Sequence, residues 1–332
     1  MGEFDLIARY FKRPTRHAAL GVGDDCALLQ PRPHTQMAIS SDMLVSGRHF
    51  FADTDPFKLG HKALAVNLSD LAACGARPLA FTLALSLPSA DETWLAPFSQ
   101  GLLALADAHG CELIGGDTTA GPLNICITVF GEVPVLAGRS QALLRSGARP
   151  GDDIYVSGTL GDARLALDAL LGNLTLPPDL LAAARARLET PTPRVALGLA
   201  LRGVASAAID VSDGLLGDLG HILESSGVGA TVLADTATEL IAIYPDNKRA
   251  TSQFDLQLST EQWRTLALAG GDDYELLFTA PPALRDAVTQ AGQASQTPVT
   301  RIGQINAEPG LTLLDRQGKP LDNSYASFDH FA

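Results

Sequence analysis

The stretch Ala63-Leu-Ala-Val-Asn-Leu-Ser-Asp-Leu-Ala-Ala73 is an apolar helical segment that carries one acid, Asp70, in its interior. Asn67 lies three residues before Asp70 and therefore on the same face of the predicted helix. An aspartate inside a helix is intrinsically unfavourable, and a buried carboxylate has to be hydrogen-bonded, paired or metal-bound. We therefore favour a metal or partner site at Asp70, with a hydrogen bond to a buried backbone group as the structural alternative.

Further acidic motifs that bear Gly or Ser surround this helix in the sequence. They are Gly23-Asp24-Asp25, Ser40-Ser41-Asp42, Gly115-Gly116-Asp117 and Asp210-Val211-Ser212-Asp213-Gly214. Hard divalent cations prefer oxygen ligands, and Mg²⁺ is usually shared between protein carboxylates and substrate phosphates. The chain has no G-x-x-x-x-G-K-[ST] motif, which excludes a P-loop enzyme. The pattern favours phosphate binding through metal ions rather than through lysine and arginine.

Each motif taken alone also has a purely structural interpretation. Gly23-Asp24-Asp25 fits a turn, and Asp42 fits an N-cap or turn at the end of an apolar strand. Taken alone, Gly115-Gly116 favours a hairpin turn over close approach of a phosphate to the backbone. Ser212 fits simple N-capping of a helix over 213–225. If the motifs converge, repulsion between their carboxylates requires cations, so two or more divalent ions are expected.

Composition limits the remaining classes of function. The 332 residues are 46% hydrophobic and carry a net charge of −13, which disfavours nucleic-acid binding. The first eleven residues contain Glu3 and Asp5 and no apolar run, and the apolar stretch Leu79–Ala90 is too short to span a bilayer. We therefore expect a cytoplasmic protein without a membrane segment. The four cysteines show no C-x-x-C spacing and are interpreted as buried free thiols.

The length favours two domains, and the breaker-rich stretch 146–152 is the best boundary. Before it, the patterns predict helices over Pro56–Cys74 and Glu92–His109 and a strand over Leu79–Leu87. After it, a strand over Ala205–Asp210 delivers an acid at its end, and Asp235–Ser259 is predicted as an irregular surface loop. The order of elements is mixed and does not fit a simple doubly wound sheet.

Six segments occur in the order characteristic of one known family. They are Gly21-Val-Gly-Asp-Asp-Cys-Ala27, Ser40-Ser-Asp-Met-Leu44, Ala65-Val-Asn-Leu-Ser-Asp-Leu-Ala-Ala73, Gly115-Gly-Asp-Thr-Thr119, Ala208-Ile-Asp-Val-Ser-Asp-Gly-Leu215 and Gly270-Gly-Asp-Asp-Tyr-Glu-Leu276. The chain resembles the thiamine-monophosphate kinases over essentially its full length. That family belongs to a superfamily that includes aminoimidazole ribonucleotide synthetase and selenophosphate synthetase.

The resemblance implies an α+β fold of two domains. Residues 1–145 would form an ATP- and metal-binding dimerisation domain, whose mixed sheet builds a barrel shared within a homodimer. Residues 146–332 would form an α/β domain that completes the active-site cleft. The implied reaction is ATP-dependent phosphorylation of thiamine monophosphate to thiamine diphosphate, with several Mg²⁺ ions, as the last step of thiamine diphosphate biosynthesis.

The resemblance also assigns roles to individual residues. The implied metal ligands are Asp25, Ser40, Ser41, Asp42, Asp70, Asp117, Asp210 and Asp213. The implied ATP contacts are Gly116, Asp117, Arg145 and Ser212. The implied substrate contacts are His49, Asp272 and Tyr325, where the family usually has Glu at the second position and an aromatic residue, often Trp, at the third. Asp42, Asp70, Asp117 and Arg145 would carry catalysis by direct in-line transfer.

Other functions are also compatible with an acidic, metal-binding chain. Selenophosphate synthetases usually have a reactive Cys or selenocysteine near a Gly-rich N-terminus, and hydrogenase-maturation members end in a Cys-bearing tail; this chain has neither pattern. A non-catalytic protein that binds Mg-nucleotide and a metal-dependent phosphatase stay open as members of other classes.

Overall fold

The computed structural model describes residues 2–242, 256 and 258–325. The chain divides into two compact units. The N-terminal unit contains the residues up to Leu71 together with Gly75–Ala142. The C-terminal unit contains Ala72–Cys74 and the residues from Leu143 onward.

The N-terminal unit is a sheet covered by helices. Its elements are α1 (Glu3–Tyr10), β1 (Ala18–Leu20), β2 (Leu28–Leu29), β3 (Thr35–Val45), α2 (Pro56–Ala73), β4 (Arg77–Leu87), α3 (Glu92–His109), β5 (Glu112–Ala120), β6 (Asn124–Leu136) and β7 (Arg139–Ser140). The main strands lie in the order β3-β6-β4-β5, and β7 pairs with β6. Only the β4–β5 pairing of this sheet is parallel; β1 and β2 form a separate antiparallel ribbon.

Helices α2 and α3 approach each other through two glycines. A Cβ atom on Gly60 would lie 2.1 Å from the carbonyl oxygen of Phe98, and one on Gly101 would lie 1.9 Å from that of Phe57. No other residue fits at this distance, because a methyl group would overlap the facing backbone. The two glycines therefore fix how closely α2, which carries Asn67 and Asp70, lies to α3.

The C-terminal unit is a seven-stranded sheet with helices. Its elements are β8 (Asp153–Ser157), α4 (Asp162–Leu170), α5 (Pro178–Glu189), α6 (Val195–Ala200), β9 (Ala207–Asp210), α7 (Leu215–Ser226), β10 (Gly229–Leu233), α8 (Ala234–Thr238), α9 (Thr260–Ala269), β11 (Leu276–Ala280), α10 (Arg285–Ala294), β12 (Val299–Asn306), β13 (Gly310–Leu314) and β14 (Pro320–Leu321). The strand order is β14-β13-β10-β12-β8-β11-β9, so β9 is an edge strand. Every residue of β8, β9 and β11 is buried.

The predicted helix over Glu92–His109 is confirmed, whereas the predictions for Gly115-Gly116 and for Asp235–Ser259 differ from the structure. This helix is α3 and has both predicted bounds; the structure adds Asp91 as its N-cap and a left-handed Gly110 as its C-cap. The prediction that the cysteine thiols are buried is wrong for Cys26, which is exposed. The hairpin interpretation of Gly115-Gly116 is wrong, because both residues lie inside β5. Part of the loop predicted over Asp235–Ser259 is the helix α8; residues 243–255 and 257 lie outside the described residues. Among the helices that the structure describes, none is long and apolar enough to cross a bilayer.

Candidate functional site

In the N-terminal unit, helix α2 brings Asp70 to strand β3. The Ser40 hydroxyl donates to Asp70 Oδ2 over 2.5 Å. Alternation along β3 places Ser40 and Asp42 on the half-buried face, while Ser41 and Met43 are exposed on the other face. The predicted residues Ser40, Asp42 and Asp70 are thus brought together by one strand and one helix.

Asn67 ties the same helix to Asp42. Its amide oxygen accepts the backbone N–H of Asp42 over 3.1 Å, and its amide nitrogen donates to the Ala63 carbonyl over 3.0 Å. Asn67 is only 1% exposed, so both bonds are made away from water. Because the amide fixes the main chain at Asp42, it positions that carboxylate relative to Asp70 without being charged itself.

Gly116 and Asp117 lie on the far edge strand of the same sheet. Asp42 pairs with Ile127, Ile127 with Leu83, and Leu83 with Gly116. Three strand spacings separate β3 from β5, or about 14 Å, so Asp117 is not in contact with Asp42 within this sheet. A Cβ at Gly116 would lie 1.8 Å from the Leu83 carbonyl, and its φ is +144°. Close approach of β4 therefore explains why this position is glycine.

Two other predicted residues lie in turns of the N-terminal unit. Asp25 is exposed, and its backbone N–H donates to Asp24 Oδ1 over 2.8 Å. His49 lies in the turn after β3, where its Nδ1 accepts the Val45 N–H over 3.0 Å. With Nδ1 acting as an acceptor, a neutral His49 carries its proton on Nε2 and can donate from there.

In the C-terminal unit, two acidic motifs lie side by side. Asp210 ends β9 and pairs with Leu276 of β11. Beyond this pair, the backbone N–H of Asp272 donates to the Ser212 carbonyl over 2.9 Å, and that of Tyr274 donates to the Val211 carbonyl over 2.8 Å. The structure therefore brings Asp210, Ser212 and Asp272 to one end of the sheet.

Asp218 is a functional candidate that the sequence analysis missed. Its Oδ2 accepts the backbone N–H groups of Ser212, Asp213 and Gly214, over 3.0, 3.2 and 3.2 Å. The predicted cap by Ser212 is wrong: Gly214 is the N-cap of α7 and Ser212 makes no capping bond to it. Burial and the nearby charge of Asp213 raise the pKa of Asp218 to about 6, against the effect of its three amide donors. An acid four residues into a helix gives only a weak sequence signal for this role.

The loop between α9 and β11 alternates between two sides. Asp273 and Glu275 are buried, with 1% and 0% exposure, while Asp272 and Tyr274 are partly exposed. Both Asp273 oxygens accept the Gly161 N–H, over 3.0 and 2.9 Å. Burial raises the pKa of Asp273 well above its ordinary value, and the charges of Asp162 and Glu275 add to that effect.

Glu275 fixes the end of this loop. Its carboxylate accepts bonds from Arg187 over 2.7 Å, from Arg194 over 2.5 and 2.6 Å, and from the Ser157 hydroxyl over 2.6 Å. A buried carboxylate is tolerated when it is paired and hydrogen-bonded in this way. The two arginines therefore hold the strand end from which Asp272 projects.

Two further predicted residues, Arg145 and Tyr325, make contacts with other parts of the C-terminal unit. Arg145 is exposed, and its carbonyl accepts a bond from the Ser226 hydroxyl over 3.3 Å. Tyr325 packs against the core that includes Leu219 and Ile222. Partial burial and a hydrogen bond with Glu261 of α9 raise the pKa of Tyr325 to about 12.

The donor sets fit a metal shared with phosphates. Within residues 2–242, 256 and 258–325, no three His, Cys, Asp or Glu side chains form a group able to hold a metal ion by themselves. Mg²⁺ in phosphoryl-transfer sites is commonly bound by one or two carboxylates, with substrate phosphates and water completing the octahedron. Ser40, Asp42 and Asp70 in one unit, and Asp210 with Asp213 in the other, supply sets of that size.

Comparison with known families gives a full-length match. The model described as AIR synthase related protein, N-terminal domain, matches residues 23–133, and the corresponding C-terminal domain model matches residues 149–316. The thiamine-monophosphate kinase of Salmonella typhimurium is 47% identical, over all of this chain and 98% of its own length. That of Bacillus subtilis is 33% identical, over 92% of this chain and 91% of its own length.

Solved structures agree with this match. The crystal structure of thiamine-monophosphate kinase from Stenotrophomonas maltophilia is 46% identical, with a TM-score of 0.81 and 96% of each chain covered. The structure of AaThiL complexed with AMPPCP and TMP is 27% identical, with a TM-score of 0.72 over 91% of this chain and 89% of that chain. The hydrogenase maturation protein HypE in complex with ATP, at 21% identity and a TM-score of 0.73, shares the fold.

Proposed function

The chain belongs to the thiamine-monophosphate kinase family, and we propose that it transfers the γ-phosphoryl group of ATP to thiamine monophosphate, producing thiamine diphosphate. The observation that carries this proposal is identity of 45–47% to thiamine-monophosphate kinases along the whole chain. A structural relative holds AMPPCP and TMP together, which supports the pairing of an ATP-type donor with this acceptor.

Divalent ions, Mg²⁺ first, are the proposed cofactors. The ligands would come from Asp25, Ser40, Asp42, Asp70, Asp117, Asp210 and Asp213, and from the main chain of Ser41, because its hydroxyl lies on the other face of β3. Ser40, Asp42 and Asp70 support this role by their proximity around β3 and α2. Because Asp117 lies on the opposite edge strand, its carboxylate would serve a different ion or phosphate from the one at Asp42. When bound, such ions supply positive charge that neutralises two anionic reactants.

The reacting groups would be held by residues of both units. Gly116, Asp117, Arg145 and Ser212 are the proposed ATP contacts, and His49, Asp272 and Tyr325 are the proposed contacts to thiamine monophosphate. His49 can donate from Nε2, and the Asp272 carboxylate suits a cationic or amino-bearing ring. Ser212 lies in a turn whose amides are fixed by Asp218, which supports a precise position for its hydroxyl.

Transfer would proceed in line, from the γ-phosphorus to a phosphate oxygen of the acceptor. A phosphate monoester is already largely ionised near pH 7, so the nucleophile needs no strong general base. Asp42, Asp70 and Asp117 would position the phosphates through their ions, and the Arg145 guanidinium would stabilise charge on the transferred group. Positioning and charge stabilisation therefore account for the chemistry without a covalent enzyme intermediate.

A homodimer built through the N-terminal sheet is also proposed. One face of β3 exposes Ile39 and Met43, at 62% and 53%, beside Cys126 and Ala84 in the same sheet row as Met43. Large exposed apolar side chains on a regular sheet face favour association with a second sheet. A second copy would cover this face and give the shared barrel that the family resemblance implies.

Labelled ATP tests the proposed reaction directly. With γ-labelled ATP, thiamine monophosphate and Mg²⁺, we expect label in thiamine diphosphate, loss of that signal with EDTA, and a fall of at least 100-fold for Asp117→Asn. Asp168→Asn, an acid in α4, is the matched control and should retain activity. ATP binding without labelled thiamine diphosphate would overturn the assignment, and release of free phosphate without ATP would favour a phosphatase.

A further inference from the structure

Asp272 and Tyr274 both have backbone conformations that side chains rarely adopt. Their φ angles are +65° and +51°, in the left-handed region. This region costs non-glycine residues about 1–2 kcal/mol, and a bulky residue such as tyrosine is an outlier there. Such strain persists only where surrounding contacts hold it, and it concentrates at functional sites.

The surrounding contacts that hold this loop are present on both sides of each strained residue. Asp273 is bound to the Gly161 N–H, and Glu275 is bound to Arg187 and Arg194. On the other side, the backbone N–H groups of Asp272 and Tyr274 are bound to carbonyls of the Asp210–Gly214 motif. The backbone of residues 272–275 is therefore held by these hydrogen bonds, which keep Asp272 and Tyr274 in the left-handed conformation.

This conformation brings the side chains of Asp272 and Tyr274 into contact with each other. Because Asp273 turns inward, Asp272 and Tyr274 project to the same side, and the Tyr274 hydroxyl donates to Asp272 Oδ1 over 3.0 Å. A phenol bound to a carboxylate oxygen fixes the rotation of the carboxylate plane. The Asp272 carboxylate is thereby held in one orientation, next to the turn that contains Ser212.

We propose that Tyr274 is a positioning residue for recognition of thiamine monophosphate, acting by orienting the Asp272 carboxylate toward the ring system of the substrate. This inference rests on the proposed function and on the assignment of Asp272 to the substrate. Tyr274 does not touch the reacting phosphates in this account. Its loss should weaken binding of the acceptor and leave binding of ATP unchanged.

A double-mutant cycle tests the inference. The variants are Tyr274→Phe, Asp272→Ala and the double variant, with kcat and KM measured separately for thiamine monophosphate and for ATP. We expect Tyr274→Phe to raise KM for thiamine monophosphate about five- to tenfold, since it removes one hydrogen bond to a charged group. KM for ATP should stay within twofold. In the Asp272→Ala background, where the acceptor is gone, Tyr274→Phe should have no further effect.

Tyr155→Phe is the matched control. Tyr155 also donates to an aspartate of the same unit, Asp153, over 3.3 Å, and it stacks on Phe278 of β11. Removing that hydroxyl should leave both KM values unchanged. The thermal midpoint of each variant reports whether a change is structural.

The outcomes separate this inference from the function on which it rests. Absence of thiamine diphosphate with the unmodified protein would overturn the proposed function and this inference with it. Normal turnover of the unmodified protein, combined with an unchanged KM in Tyr274→Phe, would overturn the inference alone. The inference would also be overturned if Tyr274→Phe raised KM equally for both substrates and lowered the thermal midpoint. Additive effects of the two substitutions on KM for thiamine monophosphate would overturn it as well.

Discussion

At the scale of single residues, Asp162 makes the stability of the C-terminal unit depend on pH. It is 2% exposed at the start of α4, and burial is the main cause that raises its pKa to about 6. Since the folded pKa exceeds the unfolded value, the protonated acid is favoured in the folded state. Its stabilising contribution is complete below about pH 4 and is lost as the pH rises through 6.

The free energy of unfolding of Asp162→Asn, compared with that of wild type, should therefore increase as the pH rises from 4 to 7. A shift of about two pKa units corresponds to at most about 3 kcal/mol in the free energy of unfolding. Urea unfolding at pH 3, 4, 5, 6 and 7 measures this change for both variants. Asp91→Asn is the control of opposite sign, because hydrogen bonds from Thr93 lower the pKa of Asp91. The difference in free energy of unfolding between Asp91→Asn and wild type should change only below about pH 4. If the corresponding difference for Asp162→Asn does not change with pH, the burial of Asp162 is not the cause of a pH-dependent stability.

Single residues also show where sequence reasoning stops. Asp70 and Asn67 were identified because an acid and an amide at helical spacing stand out in an apolar segment, and the structure brings both to β3. Asp218 and Tyr274 were missed, because their roles depend on neighbours that no local pattern shows. Tyr274 needs a left-handed backbone, which the sequence of a non-glycine residue does not predict.

At the scale of elements, the contact between α2 and α3 has no room for a side chain at Gly60 or Gly101. Gly60→Ala would place a methyl group 2.1 Å from the Phe98 carbonyl, so the helices would have to separate. We expect a loss of about 1–3 kcal/mol in the free energy of unfolding. Because α2 also carries Asn67 and Asp70, kinase activity should fall more than stability alone explains.

The matched variant is Gly220→Ala in α7, where a Cβ would meet nothing within 4 Å. Alanine in an exposed helix interior is favoured over glycine by up to about 1 kcal/mol, so this variant should be as stable as wild type or more stable. Denaturant unfolding and the labelled-ATP assay measure both proteins. Equal stability of the two variants would contradict the close-approach argument.

Elements with strong local signals were predictable, and pairings between distant segments were not. The helix over Glu92–His109 has an N-cap, apolar periodicity and a terminal glycine, and both of its bounds are confirmed. The two glycines in Gly115-Gly116-Asp117 locally favour a turn. The segment is nevertheless part of strand β5, because β4 pairs with it in parallel. A turn signal was therefore overridden by tertiary pairing.

At the scale of the whole molecule, the net charge of −13 and the proposed two-carboxylate metal sites predict that binding of Mg²⁺ and binding of nucleotide depend on each other. Mg²⁺ alone would lack the phosphate ligands that complete its coordination. We expect Mg²⁺ with a non-hydrolysable ATP analogue to raise the thermal midpoint well beyond the sum of either alone. A ligand present at 100 times its Kd stabilises the folded protein by about 2.7 kcal/mol. A full shift with Mg²⁺ alone would contradict the shared-ligand account, and Ca²⁺ with the analogue serves as the ion control.

The central place of β8 has a consequence for biosynthesis on the ribosome. This entirely buried strand, Asp153–Ser157, lies between β11 and β12, whose first residues are Leu276 and Val299. At about 5–20 residues per second, the ribosome needs roughly 6–24 s to deliver the first of these neighbours. During that interval the nascent chain exposes an apolar strand with two open edges, so chaperone capture during translation should act on this segment first.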